Sequence, residues 1–295
     1  MSVDRVSRVV LITGASAGIG EFVARHAAAK GHQLALTARR ADRLERLASE
    51  LEASGIAVQI IPAALEEPDA AERIVAEVLA RFGRLDVLIN NAGFGLPTLF
   101  SQADPEEIRR QIEVNLTAPM LLARLAMPAL IESRGVIINV GSAISCIPNS
   151  ALGAYGATKA GLAYWSYALR REVGHLGVRV CLVEPGPVRT EFFDAMTKLG
   201  PEPGRYHPML DAPMPWMSAP VDVVARRIVG LIERPRRRLS VLKRIVWPWR
   251  LIGVCFQLWP ALADLVVSAI VRIYDGPEAR TVGPSPRKTH ATPLD

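Results

Sequence analysis

Tyr155 and Lys159 stand four residues apart, and Ser142 precedes the tyrosine by thirteen. Residues four apart on a helix share a face, so a Tyr-x-x-x-Lys spacing sets an ammonium beside a phenol. A free tyrosine titrates near pKa ~10, too high to trade protons easily at neutral pH. A close cation favours the phenolate, so Lys159 is expected to pull that value down. Such a phenol can serve as general acid or base.

These side chains need a scaffold, and the first part of it stands at the start of the chain. The apolar run Val9-Val10-Leu11-Ile12 leads into Thr13-Gly14-Ala15-Ser16-Ala17-Gly18-Ile19-Gly20, then into a stretch of helix formers from Glu21 to Lys30 that closes at Gly31. In a strand, glycine turn and helix of this kind, the glycines allow a tight turn and close backbone approach, and the helix N-terminus attracts a pyrophosphate. Gly14, Ser16, Gly18, Ile19 and Gly20 are therefore candidate dinucleotide contacts.

Four more pieces follow in order. Asn90-Asn91-Ala92-Gly93 follows Val87-Leu88-Ile89, Asn115 sits in Val114-Asn115-Leu116, Ser142 follows Val136-Ile137-Ile138-Asn139-Val140, and Pro185-Gly186-Pro187-Val188-Arg189-Thr190 follows the run 178–183. Together with the glycine turn and Tyr-x-x-x-Lys, this order resembles the classical short-chain dehydrogenase/reductase family over residues 8–242. The resemblance implies a catalytic set of Ser142, Tyr155, Lys159 and Asn115, with Ser142 and Tyr155 also touching substrate. It implies that Lys159 holds the nicotinamide ribose and that the side-chain amide of Asn115 orders a water relaying protons to the lysine. Further cofactor contacts are implied for Asn91, Ala92, Gly93, Pro185, Gly186, Val188 and Thr190, and a homo-oligomer, dimer or tetramer, is expected.

Apolar β-type runs at 9–12, 33–37, 57–61, 86–89, 135–140, 178–183 and, more weakly, 239–242 alternate with helical patterns. Leu44, Leu47, Ala48 and Leu51 recur at i, i+3, i+4 and i+7, as do Val75, Val78, Leu79 and Phe82. Continuous apolar strands between amphipathic helices argue for an α/β chain with a parallel sheet covered on both faces. The family implies a doubly wound, Rossmann-type sheet of seven strands in the order 3-2-1-4-5-6-7. One catalytic domain over 1–242 is expected, with a substrate loop at 190–218.

The second strand ends Leu36-Thr37-Ala38-Arg39-Arg40. A site for NAD usually places Asp or Glu here to bond the ribose 2′-hydroxyl; two guanidiniums suit a 2′-phosphate instead. NADP(H) is therefore the expected cofactor, held by Arg39 first and Arg40 second. At the third strand Ala64-Leu65 replaces the acid and apolar residue common in the family, leaving Leu65 to pack against the adenine.

The three cysteines, Cys146, Cys181 and Cys255, argue against a disulfide framework and for a reducing, cytoplasmic setting. The five histidines lack metal-ligand spacing, so no metal is expected. A serine hydrolase is disfavoured because Val140-Gly141-Ser142-Ala143-Ile144 is not a Gly-x-Ser-x-Gly elbow. A non-catalytic NADP-binding sensor is the competing class.

The substrate loop carries Phe192, Phe193, Met196, Tyr206, Met209, Met214, Trp216 and Met217, which suit a hydrophobic ketone, aldehyde or alcohol. Beyond it, 234–250 holds seven basic residues and no acid, exceeding the net charge of +6 for the whole chain, and includes Trp247 and Trp249. The apolar run 251–273 carries Asp264, Ser268 and Arg272 as one polar stripe, an amphipathic pattern. The extension 243–275 is expected to lie at a membrane surface, on the cytoplasmic face, or to pack on protein rather than to span. No nucleic-acid module accompanies the basic run, and 276–295 reads as a disordered tail.

Overall fold

A computed structural model of the chain describes residues 7–98, 100–146, 152–188, 190–192, 218–241, 254 and 258. Seven strands form one sheet: β1 (Val9–Thr13), β2 (Gln33–Ala38), β3 (Val58–Pro62), β4 (Val87–Asn90), β5 (Val136–Val140), β6 (Arg179–Glu184) and β7 (Arg238–Ser240). Their order is β3-β2-β1-β4-β5-β6-β7 and every pairing is parallel, in accord with the expected topology.

Alternate residues of the strands enter opposite cores. Val10 and Ile12 face one apolar cluster with α1 (Gly18–Ala28), α2 (Ala41–Glu52) and α7 (Val221–Glu233). Val9 and Leu11 face the other, with α3 (Ala70–Phe82), α5 (Ala118–Glu132) and α6 (Gly153–Val173). Both faces being covered, the strands at the centre of the sheet carry near-continuous apolar runs, such as residues 9–12 of β1 and 87–89 of β4. Leu44, Leu47, Ala48 and Leu51 form the buried stripe of α2, as their spacing requires.

Two local devices set the site. Between α4 (Pro105–Ile112) and α5 the chain makes a π-helical turn, Glu113–Thr117, that carries Asn115. Such one-turn bulges re-aim side chains out of the regular helical register. Behind the sheet's carboxyl edge a buried amide chain joins three elements: Asn90 Nδ2 donates to Asn139 Oδ1 at 2.9 Å, and Asn139 Nδ2 donates to Ser166 Oγ at 2.8 Å. This network fixes α6, and with it Tyr155 and Lys159, against β4 and β5.

The run Pro105–Glu132 is apolar and long enough to cross a membrane, but Asn115, Leu122, Ala126 and Leu130 within it are fully buried in the protein, which marks a core helix. The loop residues 193–217, the extension 243–275 apart from Val254 and Leu258, and the tail 276–295 lie outside the described residues. Val254 and Leu258 are helical and exposed.

Candidate active site

The sheet's order reverses between β1 and β4, and the crevice at their carboxyl ends is where an open α/β sheet receives a ligand. β1 ends at Thr13, whose buried hydroxyl accepts the backbone N–H groups of Asn91 and Ala92, each at 3.0 Å. Asn91 answers from β4's end, its Nδ2 donating to Thr13 O at 2.9 Å and Gly14 O at 3.3 Å. The turn that follows is shaped by its glycines. Gly14 and Gly18 have φ of 67° and 56°, a region costly for other residues. A Cβ on Gly14 would come 2.9 Å from Ala92 Cα, and one on Gly20 would overlap Gly14 O at 2.3 Å.

α1 then starts at Gly18 behind Ala17, which offers no side-chain cap. The N–H groups of its first turn are therefore left to meet an anion, flanked by the buried Ser16 and the half-buried Ile19. A close-approach glycine cradle with uncapped helical N–H groups fits a dinucleotide pyrophosphate.

The reactive cluster lies across the crevice. Tyr155 and Lys159 are both buried on α6, four residues apart as the spacing implies. Lys159 Nζ lies 5.9 Å from the centre of the Tyr155 ring and donates to Val140 O at 3.0 Å. The electrostatics differ from the sequence expectation. Burial pushes the phenol of Tyr155 up to about 12, a hydrogen bond with Ser142 pulling only weakly the other way. Burial likewise draws Lys159 down to about 8. Desolvation disfavours the charged form of each group, and here it outweighs the attraction expected between ammonium and phenolate.

Asn115 lies buried beside this pair and is bonded to protein through both its oxygen and its nitrogen. Its Oδ1 accepts the N–H of Phe94 at 3.0 Å, and its Nδ2 donates to Phe94 O at 2.9 Å and to Thr158 Oγ1 at 3.2 Å. Both amide protons are thus taken up by protein, and the side-chain amide clamps the loop that follows β4. Thr158 completes the clamp by donating to Tyr155 O at 2.8 Å. Gly93 closes the space between, since a Cβ there would come 3.0 Å from Asn115 Oδ1 and 3.2 Å from Lys159 Nζ.

At the other end of the crevice Arg40, rather than Arg39, lies across the glycine turn, its Nε and Nη2 each donating to Ser16 Oγ at 3.2 Å. Arg39 is more exposed and sits 3.9 Å from Glu66. Leu65 is buried in the apolar cluster with Ala63, Ala70 and Ile74, with Ala92 packed against the same cluster. On the far wall Ala143 N donates to Pro185 O at 3.0 Å, which ties the Ser142 turn to the Pro185-Gly186 segment. Val188 is held by an isolated bridge to Ala219, and Thr190 stands over Gly18.

The structure thus gathers Ser142, Tyr155, Lys159, Asn115, Asn91, Ala92 and Gly93 around one crevice, with the glycine turn and Thr190 meeting at one end of it and Pro185 tied to the Ser142 turn. Sequence reading passed over Thr13 and Thr158. A polar residue closing an all-apolar strand was the available signal for the first, and a threonine three residues past the tyrosine for the second.

Residues 8–199 match the family model of the short chain dehydrogenases. Serine 3-dehydrogenase of Agrobacterium fabrum is 36% identical over 188 residues, covering 63% of this chain and 74% of that protein. The 3-oxoacyl-(acyl-carrier-protein) reductase of Escherichia coli is 33% identical over 191 residues, 64% of this chain and 77% of its own. A solved short-chain dehydrogenase from Sphingobium yanoikuyae in complex with NADPH aligns with a TM-score of 0.72 at 31% identity, over 86% of this chain and 95% of that one. The chain belongs to the short-chain dehydrogenase/reductase family of oxidoreductases.

Proposed function

We propose that the chain is an NADP(H)-dependent oxidoreductase acting on a hydrophobic ketone, aldehyde or alcohol, with Tyr155 as the group that gives or takes the proton. The observation that carries this reading is the double adjacency of Ala92-Gly93: Ala92 closes on Gly14 of the dinucleotide turn, and Gly93 closes on Lys159 and Asn115. A dinucleotide laid along the turn leads past this loop to the buried tyrosine and lysine. When bound, the nicotinamide supplies or accepts hydride.

The residues present fit that cofactor. The N–H groups of α1 would hold the pyrophosphate, Arg40 with Ser16 and Arg39 the 2′-phosphate, and Lys159 the nicotinamide ribose. The absence of an acid at Ala38 removes the usual selector for NAD, and the Sphingobium yanoikuyae relative carries NADPH.

Reduction of a carbonyl leaves negative charge on oxygen, which needs a donor and a proton. Tyr155, held near 12, keeps its proton through the neutral range and is suited to give it up to that oxygen, with Ser142 bonding the same atom. Lys159, held near 8, is poised to share its proton as the tyrosine loses its own.

The substrate class rests on Ile144, Leu152 and Phe192, which surround Tyr155; the relatives are named for differing substrates. Leu121, Leu125 and Tyr164, exposed on α5 and α6, support a homo-oligomer. Membrane association of 243–273 rests on sequence alone. NADPH oxidation followed spectrophotometrically with fatty, steroid and short-chain carbonyls tests the reading. Turnover with an apolar carbonyl supports it, whereas NADPH binding with no turnover across the panel would identify a sensor instead.

A further inference from the structure

Thr190, Glu191 and Phe192 touch three parts of the crevice at once. A Cβ on Gly18 would come 3.3 Å from the Thr190 side chain, so Thr190 rests on the glycine turn. The ring of Phe192 lies 6.0 Å from that of Tyr155, and its backbone N–H donates to Thr190 Oγ1 at 3.3 Å. Anchored on both sides, Glu191 reaches across the crevice to α2. Arg43 Nη1 donates to its two carboxylate oxygens at 3.0 and 2.8 Å, and Arg40 Nη1 donates to Oε2 at 3.4 Å. Arg40 is the guanidinium whose other edge meets Ser16.

The guanidinium best placed for a 2′-phosphate is therefore already paired with an internal anion. About half of the Glu191 side chain is exposed, as is 43% of Arg40, so this is a contact that an incoming ligand can break. A phosphate offers more acceptor oxygens and more charge than a carboxylate, and guanidiniums favour it accordingly. A nucleotide lacking the 2′-phosphate has nothing with which to compete for Arg40 and leaves the carboxylate in place.

We propose that Glu191 is the internal anion that a 2′-phosphate displaces from Arg40 and Arg43, and that it thereby sets the selectivity of the site between phosphorylated and unphosphorylated dinucleotides. This rests on the NADP(H) reading above. With Glu191 in place, the phosphate must separate an existing ion cluster and tolerate a nearby carboxylate; without it, both costs vanish. Exposed ion pairs of this kind are individually weak, so removing the carboxylate is expected to tighten phosphate binding about three- to tenfold.

The test is isothermal titration calorimetry of the full chain and of Glu191→Gln with 2′,5′-ADP, using 5′-AMP as the phosphate-free control. The wild type should bind 2′,5′-ADP at least about tenfold more tightly than 5′-AMP. The Glu191→Gln variant should tighten 2′,5′-ADP about three- to tenfold and leave 5′-AMP within about twofold. A wild type with no preference for 2′,5′-ADP overturns the cofactor reading and this proposal with it. A wild type with that preference, joined to an unchanged or weakened 2′,5′-ADP affinity in the variant, overturns the role of Glu191 alone. An equal gain for both nucleotides also overturns it, because a general loosening of the turn would not read the phosphate.

Discussion

Lys159 carries a measurable penalty for its position, and the pH dependence of stability exposes it. Its folded-state pKa is drawn down to about 8 by burial, from an ordinary value of 10.5. Between those values the unfolded chain binds more protons than the folded one, so this residue makes stability rise with pH. Each pH unit across the window is worth about 1.4 kcal/mol, so the full span amounts to about 3 kcal/mol as an upper figure. Two groups oppose it. Cys181, pushed from 9.0 up to about 11, and Tyr155, pushed from 10.0 up to about 12, contribute stability below their unfolded values that is lost as pH rises toward the folded ones. The informative interval is pH 8 to 9, in which Lys159 titrates in its folded form; Cys181 and Tyr155 begin to oppose it there but are present in both proteins compared, so their contribution cancels in the difference. Urea denaturation of the cofactor-free protein and of Lys159→Met at pH 7, 8 and 9 is the assay. The wild type should gain about 1 kcal/mol relative to the variant between pH 8 and 9. Parallel pH profiles for the two proteins would show that the lysine is neither buried nor shifted as described.

Three further outcomes follow from named contacts. Asn115→Ala leaves the N–H of Phe94 without its acceptor and removes one of two donors to Phe94 O, the other being Gln111, and the donor to Thr158 Oγ1; it should lower stability by about 1–3 kcal/mol by chemical denaturation; a loss under about 0.5 kcal/mol would dismiss the clamp. Arg40→Met should raise the KM for NADPH about tenfold or more while shifting that for NADH within about twofold, and should exceed Arg39→Met in this respect; equal effects on both cofactors would make Arg40 a surface charge. If 243–273 lies on membranes, the full chain should bind anionic liposomes at low salt and weaken in high salt, and removal of residues 243–295 should abolish binding with the circular dichroism of the core intact. Indifference of the full chain to such liposomes would assign the segment to protein packing.

Much of the architecture was legible in the sequence because its signals are local. The glycines of 14–20 sit where the turn needs them, Leu44 to Leu51 mark one face of α2, and the strand runs agree with the observed strands within about two residues at their ends. What the sequence hid depends on contacts between distant residues or on burial. Glu191 meets Arg40 and Arg43 across about 150 positions, which no local pattern records. The π-helical turn at Glu113–Thr117 arises from a single extra residue in a helix and has no compositional signature. Arg39 and Arg40 are adjacent, and which of them crosses the glycine turn is decided by the extended backbone of Arg40 at the start of α2 (φ −88°, ψ 90°). The direction of the shift at Tyr155 was misjudged because spacing reports a neighbouring charge and says nothing of the water removed around both groups.

The central claim is that Tyr155 performs the proton transfer while the rest of the crevice holds the cofactor. Tyr155→Phe keeps the ring that packs against Leu152 and Phe192 and removes only the hydroxyl. NADPH binding by fluorescence titration should remain within about threefold of wild type, and turnover of a responsive carbonyl should fall by about two or more orders of magnitude. Turnover within about threefold of wild type, with binding intact, would contradict the account.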